Sequence, residues 1–223
     1  MTLLLRARVN IDAEQVVFVG DVIDKGPDSL RLMRAMENYG WLSVQGNHEN
    51  KIYRMAKGNK VKVNSEMADT RQQLGSDFER YGMMMGTWPL YMPFTDDQGS
   101  GYIVHGGVAP DRPIESQSPN FLMRLRTWPF EEYVKGVEAT QPPWQTAYQG
   151  HLGTILHGHI PSASVHHSGD VRHDNPNVMS LDGGAVYGTD RSWGGELRGV
   201  RMGSREVFAV PGQPFQTTHY NTL

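Results

Sequence analysis

Over the first two thirds of the chain, short apolar runs alternate with longer stretches of helical period. Val16-Val17-Phe18-Val19 is a β-branched and aromatic run stopped by Gly20, the pattern of a buried strand. Asp28 or Ser29 can cap a helix whose apolar face carries Leu30, Met33, Ala35 and Met36, and Gly40 ends it. Trp41-Leu42-Ser43-Val44 predicts the next strand, ending at Gly46, and residues 47–58 predict a second helix. A further helix is expected over 67–84, polar along one side. Tyr102-Ile103-Val104 and Thr154-Ile155-Leu156 read as strands, with a short helix over 120–126 between them. From Val165 onward only short runs remain, at 178–181, 197–200 and 207–210, broken by Gly, Asn and Pro. They predict an antiparallel set of strands.

Strand-helix units followed by strands predict an α/β fold with a two-sheet core and helices outside. No Pro/Gly/Ser-rich linker divides the chain and no internal repeat is present, so one domain is expected over 1–210. The polar residues 211–223 form an expected loose tail. A chain of 223 residues with 38% hydrophobic and 20% charged positions can bury a sizeable core.

Charge and composition narrow the function. The formal net charge of -3 argues against a scaffold that binds nucleic acid through its phosphates. The absence of cysteine removes disulfides, thiolate metal sites and a thiol nucleophile, so a metal would have to sit on His, Asp, Glu or Asn. No apolar run reaches the length of a membrane span, and Met1-Thr2-Leu3-Leu4-Leu5-Arg6 is too short for a signal peptide. A cytoplasmic protein without membrane contact is expected.

Four clusters place metal-binding residue types among glycines just after an apolar run. They are Gly20-Asp21-Val22-Ile23-Asp24-Lys25-Gly26, Gly46-Asn47-His48-Glu49, His105-Gly106-Gly107 and His157-Gly158-His159. Taken singly, each has an ordinary explanation: a turn at Gly20-Asp21, a helix cap at Asn47, a hydrogen-bonded core histidine at His105 or His159. Together they suggest strand ends on one sheet edge facing a single point. Glycine lets the backbone approach an ion or phosphate, and Asp, Asn and His are donors suited to Mn, Fe or Zn.

The series Gly-Asp-x-x-Asp-Lys-Gly, Gly-Asn-His-Glu, His-Gly-Gly and Gly-His-x-Pro resembles the PPP-type, calcineurin-like metallophosphoesterases. That group includes serine/threonine protein phosphatases and dinucleoside tetraphosphatases. Ser180-Leu181-Asp182-Gly183-Gly184 and Gly195-Glu196-Leu197 are similar to the closing strands of the small bacterial members. The resemblance implies a two-sheet α/β/β/α sandwich. It implies that Asp21 bridges two divalent ions and that Asn47, His105 and His159 complete the shell of one, with Mn first and Fe or Zn as alternatives. It also implies that His48 is the general acid, that Asp24 orients it, and that Lys25 attracts phosphate where many members have arginine. Arg126, with Arg124 second, would clamp phosphate. The implied reaction is attack of a metal-bound hydroxide on a phosphomonoester. Phosphoserine or phosphothreonine in a protein is the first expectation, and a dinucleoside tetraphosphate the alternative. A binding module without turnover is a third reading.

The family pattern also has an Asp-x-His-Gly on its first strand, which holds the other metal. The twenty residues before Asp21 contain no histidine. The first strand is therefore expected to be missing, through truncation or an internal start, with a degenerate member that holds one metal or none as the alternative. Met1 to Arg8 would be the second half of the helix that follows that strand. The expectation for the chain as it stands is one metal, weak or absent turnover and an unpaired sheet edge.

Other candidates read as structural. His151, His166, His167 and His173 are expected at the surface, and His157 is a neighbour of the ligand His159. Met83-Met84-Met85 is core filler, Trp88, Trp128 and Trp144 pack beside prolines, and Asp182 belongs to a turn.

Overall fold

The structure is a computed structural model that describes residues 1–132, 134, 139–161, 175–188 and 195–212. The expected strand at Val165, the surface histidines His166, His167 and His173, and nearly all of the tail beyond Pro211 lie outside the described residues.

The first half follows the strand-helix reading. After α1 (Thr2–Arg6), β1 (Val17–Phe18) pairs in parallel with β2 (Leu42–Ser43) across α2 (Ser29–Tyr39). The predicted punctuation of α2 is present: the Asp28 side chain accepts from the Arg31 N–H, and Gly40 closes the helix at φ 62°. Next come α3 (Asn47–Ala56), α4 (Ser65–Leu74) and α5 (Phe78–Met85). The single helix expected over 67–84 is two helices, because Gly75 takes φ 54° and opens a 3₁₀ turn between them. Ile52, Tyr81 and Met85 join Met33 and Met36 of α2 in one buried cluster that also holds Ile23. Met83, by contrast, points outward.

A four-stranded sheet runs in the order β3-β4-β5-β6. Its strands are β3 (Tyr91–Asp96), β4 (Gly99–Val104), β5 (Thr154–His157) and β6 (Val178–Ser180). Strand β3 is absent from the sequence reading. Pro93 interrupts its apolar pattern, and β3 accommodates the proline by lying at the sheet edge, antiparallel to β4 alone. Strand β6 also departs from expectation, since it joins β5 in parallel rather than in the antiparallel set.

Registers 103–156–179 and 102–155–178 bring residues into line across β4, β5 and β6, and the period of two assigns the faces. Ile103, Leu156 and Met179 share one face and meet Val17 and Val44 beside β1 and β2, together with Leu181 and Val200. Val104, Ile155 and Val178 face outward onto Leu122, Trp144 and Tyr148. These belong to or follow α6 (Pro119–Arg124) and α7 (Trp144–Ala147). The antiparallel sheet is β7 (Asp182–Gly183), β8 (Glu196–Arg201) and β9 (Glu206–Pro211). Arg205, in the β8–β9 turn, donates from Nη2 to Asp96 Oδ1 at 3.0 Å and so ties this sheet to the end of β3. The result is the expected mixed α/β arrangement with helices outside, its strands forming three hydrogen-bonded sheets of two, four and three strands rather than two. Among the described residues β1 is hydrogen-bonded as a strand to β2 alone. Gly212 donates to the Gly195 carbonyl at 2.8 Å.

Candidate metal centre

All four predicted clusters meet. The loop after β1 carries Asp21, the first turn of α3 carries Asn47 and His48, His105 follows β4 directly, and His159 lies two residues beyond β5. Ligand atoms of Asp21, His105 and His159 all lie within 4.8 Å of one another. Asn47 Oδ1 is 3.2 Å from His105 Nε2, and Asp21 Oδ2 is 3.1 Å from that same nitrogen.

The backbone is bent hard to achieve this. Asp21, Asp24, Lys25 and His159 all adopt left-handed φ values of 52°, 69°, 63° and 66°. Each costs about 1 kcal/mol or more in a residue with a Cβ, and such conformations gather at functional sites. Gly20, at φ 84°, gives His105 its room: a Cβ there would stand 2.7 Å from His105 Nδ1.

One side chain that the sequence reading left without a role organises the loops. Glu49 is completely buried. Its carboxylate accepts from the N–H groups of Asp21 and Val22 at 2.8 Å, Ile23 at 3.3 Å and Gly46 at 2.9 Å. It therefore nails the Asp21 loop to the start of α3. The signal was a Glu three residues into a helix that follows Gly46, but the pattern alone shows only a cap, not the reach to another loop. Burial, followed by the nearby charge of Asp21, raises its pKa.

His105 shows that the pocket wants a cation. Its Nδ1–H donates to the Val19 carbonyl at 2.8 Å, which leaves Nε2 pointing at Asp21 Oδ2 and Asn47 Oδ1. A bare lone pair there would face two oxygen acceptors, so Nε2 must carry a proton or a metal ion. Burial alone would lower the His105 pKa, but the charge and hydrogen bond of Asp21, then Glu49, raise it to about 9. For Asp21, burial pushes the pKa up, while His105, His48 and His159 outweigh it and hold the carboxyl far below the usual range. Burial, then the charges of His105 and Arg126, pushes His159 well below its ordinary value and keeps the ring neutral. One carboxylate, one amide oxygen and two imidazoles form a donor set that fits Mn, Fe or Zn.

His48 stands beside this cluster, its Nε2 at 3.8 Å from Asp21 Oδ2. Its Nδ1–H donates to Asp24 Oδ2 at 2.5 Å, and Asp24 Oδ1 accepts from the Thr70 hydroxyl at 3.2 Å. Burial disfavours charge on His48, but the bond to Asp24 and the charges of Asp21 and Asp24 prevail and raise its pKa. Lys25 acts on His48 electrostatically in the opposite sense. The two candidate arginines separate. Arg126 donates from Nε to His159 Nε2 at 3.2 Å, beyond the end of α6, whereas Arg124 lines a different groove. His157 turns into the core instead, with Nδ1–H on the Gly158 carbonyl and its ring against Trp144. His151 is exposed and donates to the Arg112 carbonyl. Asp182 accepts from the Gly184 N–H in its turn, yet burial and the charge of Asp21 raise its pKa, so the site's field reaches it.

A pH prediction follows for the metal-free protein. The His105 pKa rises from 6.5 to about 9 in the fold, so the stability it contributes is complete below about pH 6.5 and is lost as the pH climbs through about 9. Thermal denaturation in EDTA is expected to show that decline, and saturating Mn to abolish it by taking the proton's place on Nε2.

Comparison with known proteins places the chain in a family. The curated relatives include the asymmetrical bis(5'-nucleosyl)-tetraphosphatase PrpE of Bacillus subtilis strain 168. It is 26% identical, with 96% of this chain and 87% of the relative aligned. The enzyme of the same name from Bacillus velezensis strain FZB42 is 29% identical over 95% of this chain and 84% of its own length. Among solved structures, a candidate diadenosine tetraphosphatase superposes with a TM-score of 0.72 at 23% identity, covering 95% of this chain and 86% of that one. A protein of Pyrococcus horikoshii OT3 gives a TM-score of 0.52 at 11% identity over 90% of this chain and 75% of its own. The profile of one family, described as calcineurin-like phosphoesterase, matches residues 2–187, a stretch that contains every donor of the centre. By that match and by its convergent Asp, Asn and His donors, this chain belongs to the calcineurin-like metallophosphoesterases.

Proposed function

We propose that the protein hydrolyses dinucleoside tetraphosphates asymmetrically, to a nucleoside monophosphate and a nucleoside triphosphate. A centre built from Asp21, Asn47, His105 and His159 would hold one divalent ion, with Mn the first candidate. The observation that carries a hydrolytic reading is the meeting of those four donors beside a histidine already oriented by a buried carboxylate. The substrate choice is supported by relatives of that name aligned over nearly the whole chain. Phosphoserine and phosphothreonine, the first expectation from sequence, become the second reading.

When bound, the divalent ion supplies positive charge against the phosphate and makes a water molecule more acidic. The chain's own groups do the rest. Asn47 and His159 contribute neutral donors, so the centre keeps a net positive charge for the substrate. Arg126 and Lys25 add charge where the phosphate enters. The water oxygen forms the new bond to phosphorus and loses a proton to solvent, the bridging P–O bond breaks, and His48 Nε2–H hydrogen-bonds the departing oxygen, giving up its proton where that oxygen is a strongly basic alkoxide. Asp24, held by Thr70, fixes the His48 ring and favours its protonated form.

His48→Ala is expected to slow hydrolysis of an alkyl phosphate by roughly 10²–10⁴-fold. The loss should be much smaller for p-nitrophenyl phosphate, whose leaving group departs without a proton. Equal losses on both substrates would refute the acid role.

The substrate proposal is tested by incubating the Mn-loaded protein with diadenosine tetraphosphate and separately with a phosphopeptide, and separating the products by anion exchange. AMP and ATP in equal amounts support it. Two ADP, or faster release of phosphate from the peptide, refutes it. Among the described residues no helix is long and apolar enough to cross a membrane. A cytoplasmic location, where such nucleotides are available, is part of the same proposal.

A further inference from the structure

A basic groove shares helix α3 with the metal centre and contains none of its donors. Its volume is about 450 Å³, within the range of ligand sites, and its walls include Lys51, Arg54, Lys60, Lys62 and Arg124 but no acidic residue. Five cations in one cavity are a strong local excess in a chain of net charge -3. Among the described residues none of the five forms an ion pair with an acid. Glu66, nearby in sequence, is engaged instead by the Asn64 side chain.

The groove is built on the same elements as the centre. Lys51 follows His48 by three residues along α3 and so lies on its side of the helix, just under one turn away, and Arg54 follows Lys51 at the same spacing. Arg124 precedes Arg126 by two residues. Its backbone packs so closely on Gly106, next to His105, that a Cβ at Gly106 would collide with the Arg124 N–H. Lys60 and Lys62 come from the irregular segment between α3 and α4 and also line the groove.

We propose that this groove binds the phosphates of the substrate that are not being attacked, and so selects linear oligophosphates over simple monoesters. The proposal rests on the nucleotide reading above. The alternative of an acidic phosphopeptide fits less well. Carboxylates along an extended peptide sit about 3.3–3.6 Å apart per residue on alternating sides, whereas an oligophosphate carries charge on every phosphorus. Single-stranded nucleic acid would be expected to stack bases on aromatic walls, and no aromatic side chain lines the groove. Lysines, as mobile point charges, suit a flexible chain of phosphates better than a single planar anion.

The test uses the double variant Lys60→Ala/Lys62→Ala, which removes two exposed side chains from an irregular segment. Unchanged melting temperature establishes that it is folded. Calorimetric titration of the metal-free protein with inorganic tripolyphosphate and with orthophosphate gives a readout independent of turnover. Tripolyphosphate should bind the parent protein far more tightly than orthophosphate does, and the variant should lose about tenfold of that affinity. In the Mn-loaded protein, kcat/KM for diadenosine tetraphosphate relative to p-nitrophenyl phosphate should fall by a similar factor, through KM. If tripolyphosphate binds no better than orthophosphate, or the variant binds it as the parent does, the groove proposal is overturned. A raised KM for an acidic phosphopeptide with unchanged tripolyphosphate affinity overturns it in favour of the peptide. If the tripolyphosphate results hold but diadenosine tetraphosphate is not cleaved, the groove stands and the substrate reading fails.

Discussion

Asp21→Asn is expected to abolish stable metal binding. The substitution keeps the shape of the side chain but removes the one negative charge among the four donors. It also turns an oxygen that faces His105 Nε2 at 3.1 Å into half of an uncharged amide. Loss of a group that merely orients a metal ligand costs about 10–100-fold in affinity. A direct anionic donor should exceed that range, so a drop of more than ~100-fold in Mn affinity is predicted, with turnover falling in step. The parent protein should retain one equivalent of Mn per chain after desalting, and the variant none. A second consequence separates this account from simple misfolding. Asp21 is the main influence that raises His105, ahead of Glu49 and the Val19 carbonyl, so without it the stability loss between pH 6.5 and about 9 in EDTA should shrink sharply. If D21N retains Mn like the parent, Asp21 is not a ligand and the assignment of the centre fails.

Glu49→Ala should be the most destabilising single change in the site. It leaves four backbone N–H groups of two loops without their acceptor in a fully buried place. Removing a buried charged acceptor from such donors costs about 3–5 kcal/mol. For a chain of this length that corresponds to a fall of roughly 10 °C in melting temperature. Glu49→Gln retains one acceptor oxygen but turns an NH₂ toward the remaining N–H groups, and should lie between the two. Mn affinity should weaken alongside stability, because the freed loop carries Asp21. Urea denaturation followed by tryptophan fluorescence is the measurement. An E49A variant that melts within about 2 °C of the parent would show that the loops hold together without this carboxylate.

Residue types and local punctuation were the legible part of the protein. Asp28 and Gly40 marked both ends of α2 because caps act within one turn, and the apolar runs at 102–104 and 154–156 marked two buried parallel strands. The side chains that meet, Asp21, Asn47, His105 and His159, stood out in the sequence because each follows a strand or opens a helix beside glycine. Strand β3 was not, since Pro93 reads as a breaker unless the strand is known to lie at an edge. The break at Gly75 was missed because the helical period of 67–84 continues through it. Thr70 was missed because a threonine in a helix looks like any other until Asp24, forty-six residues away in sequence, is found beside it.

The sequence by itself determined the chemical inventory: which atoms can bind a cation, which histidine can carry a proton, and where chain direction must change. Tertiary structure alone decided which of those atoms meet. It set Arg126 on His159 and Arg124 in the basic groove, although two residues separate them, because α6 ends between the two. It also made Glu49 a clasp between loops, and it aimed His105 Nε2 at two oxygens by occupying Nδ1 with the Val19 carbonyl. The physical reason is the range of the forces. Caps, turns and periodicity act over a few residues and can be read along the chain. The protonation and metal affinity of a buried group depend on charges brought within a few ångströms by packing of segments distant in sequence.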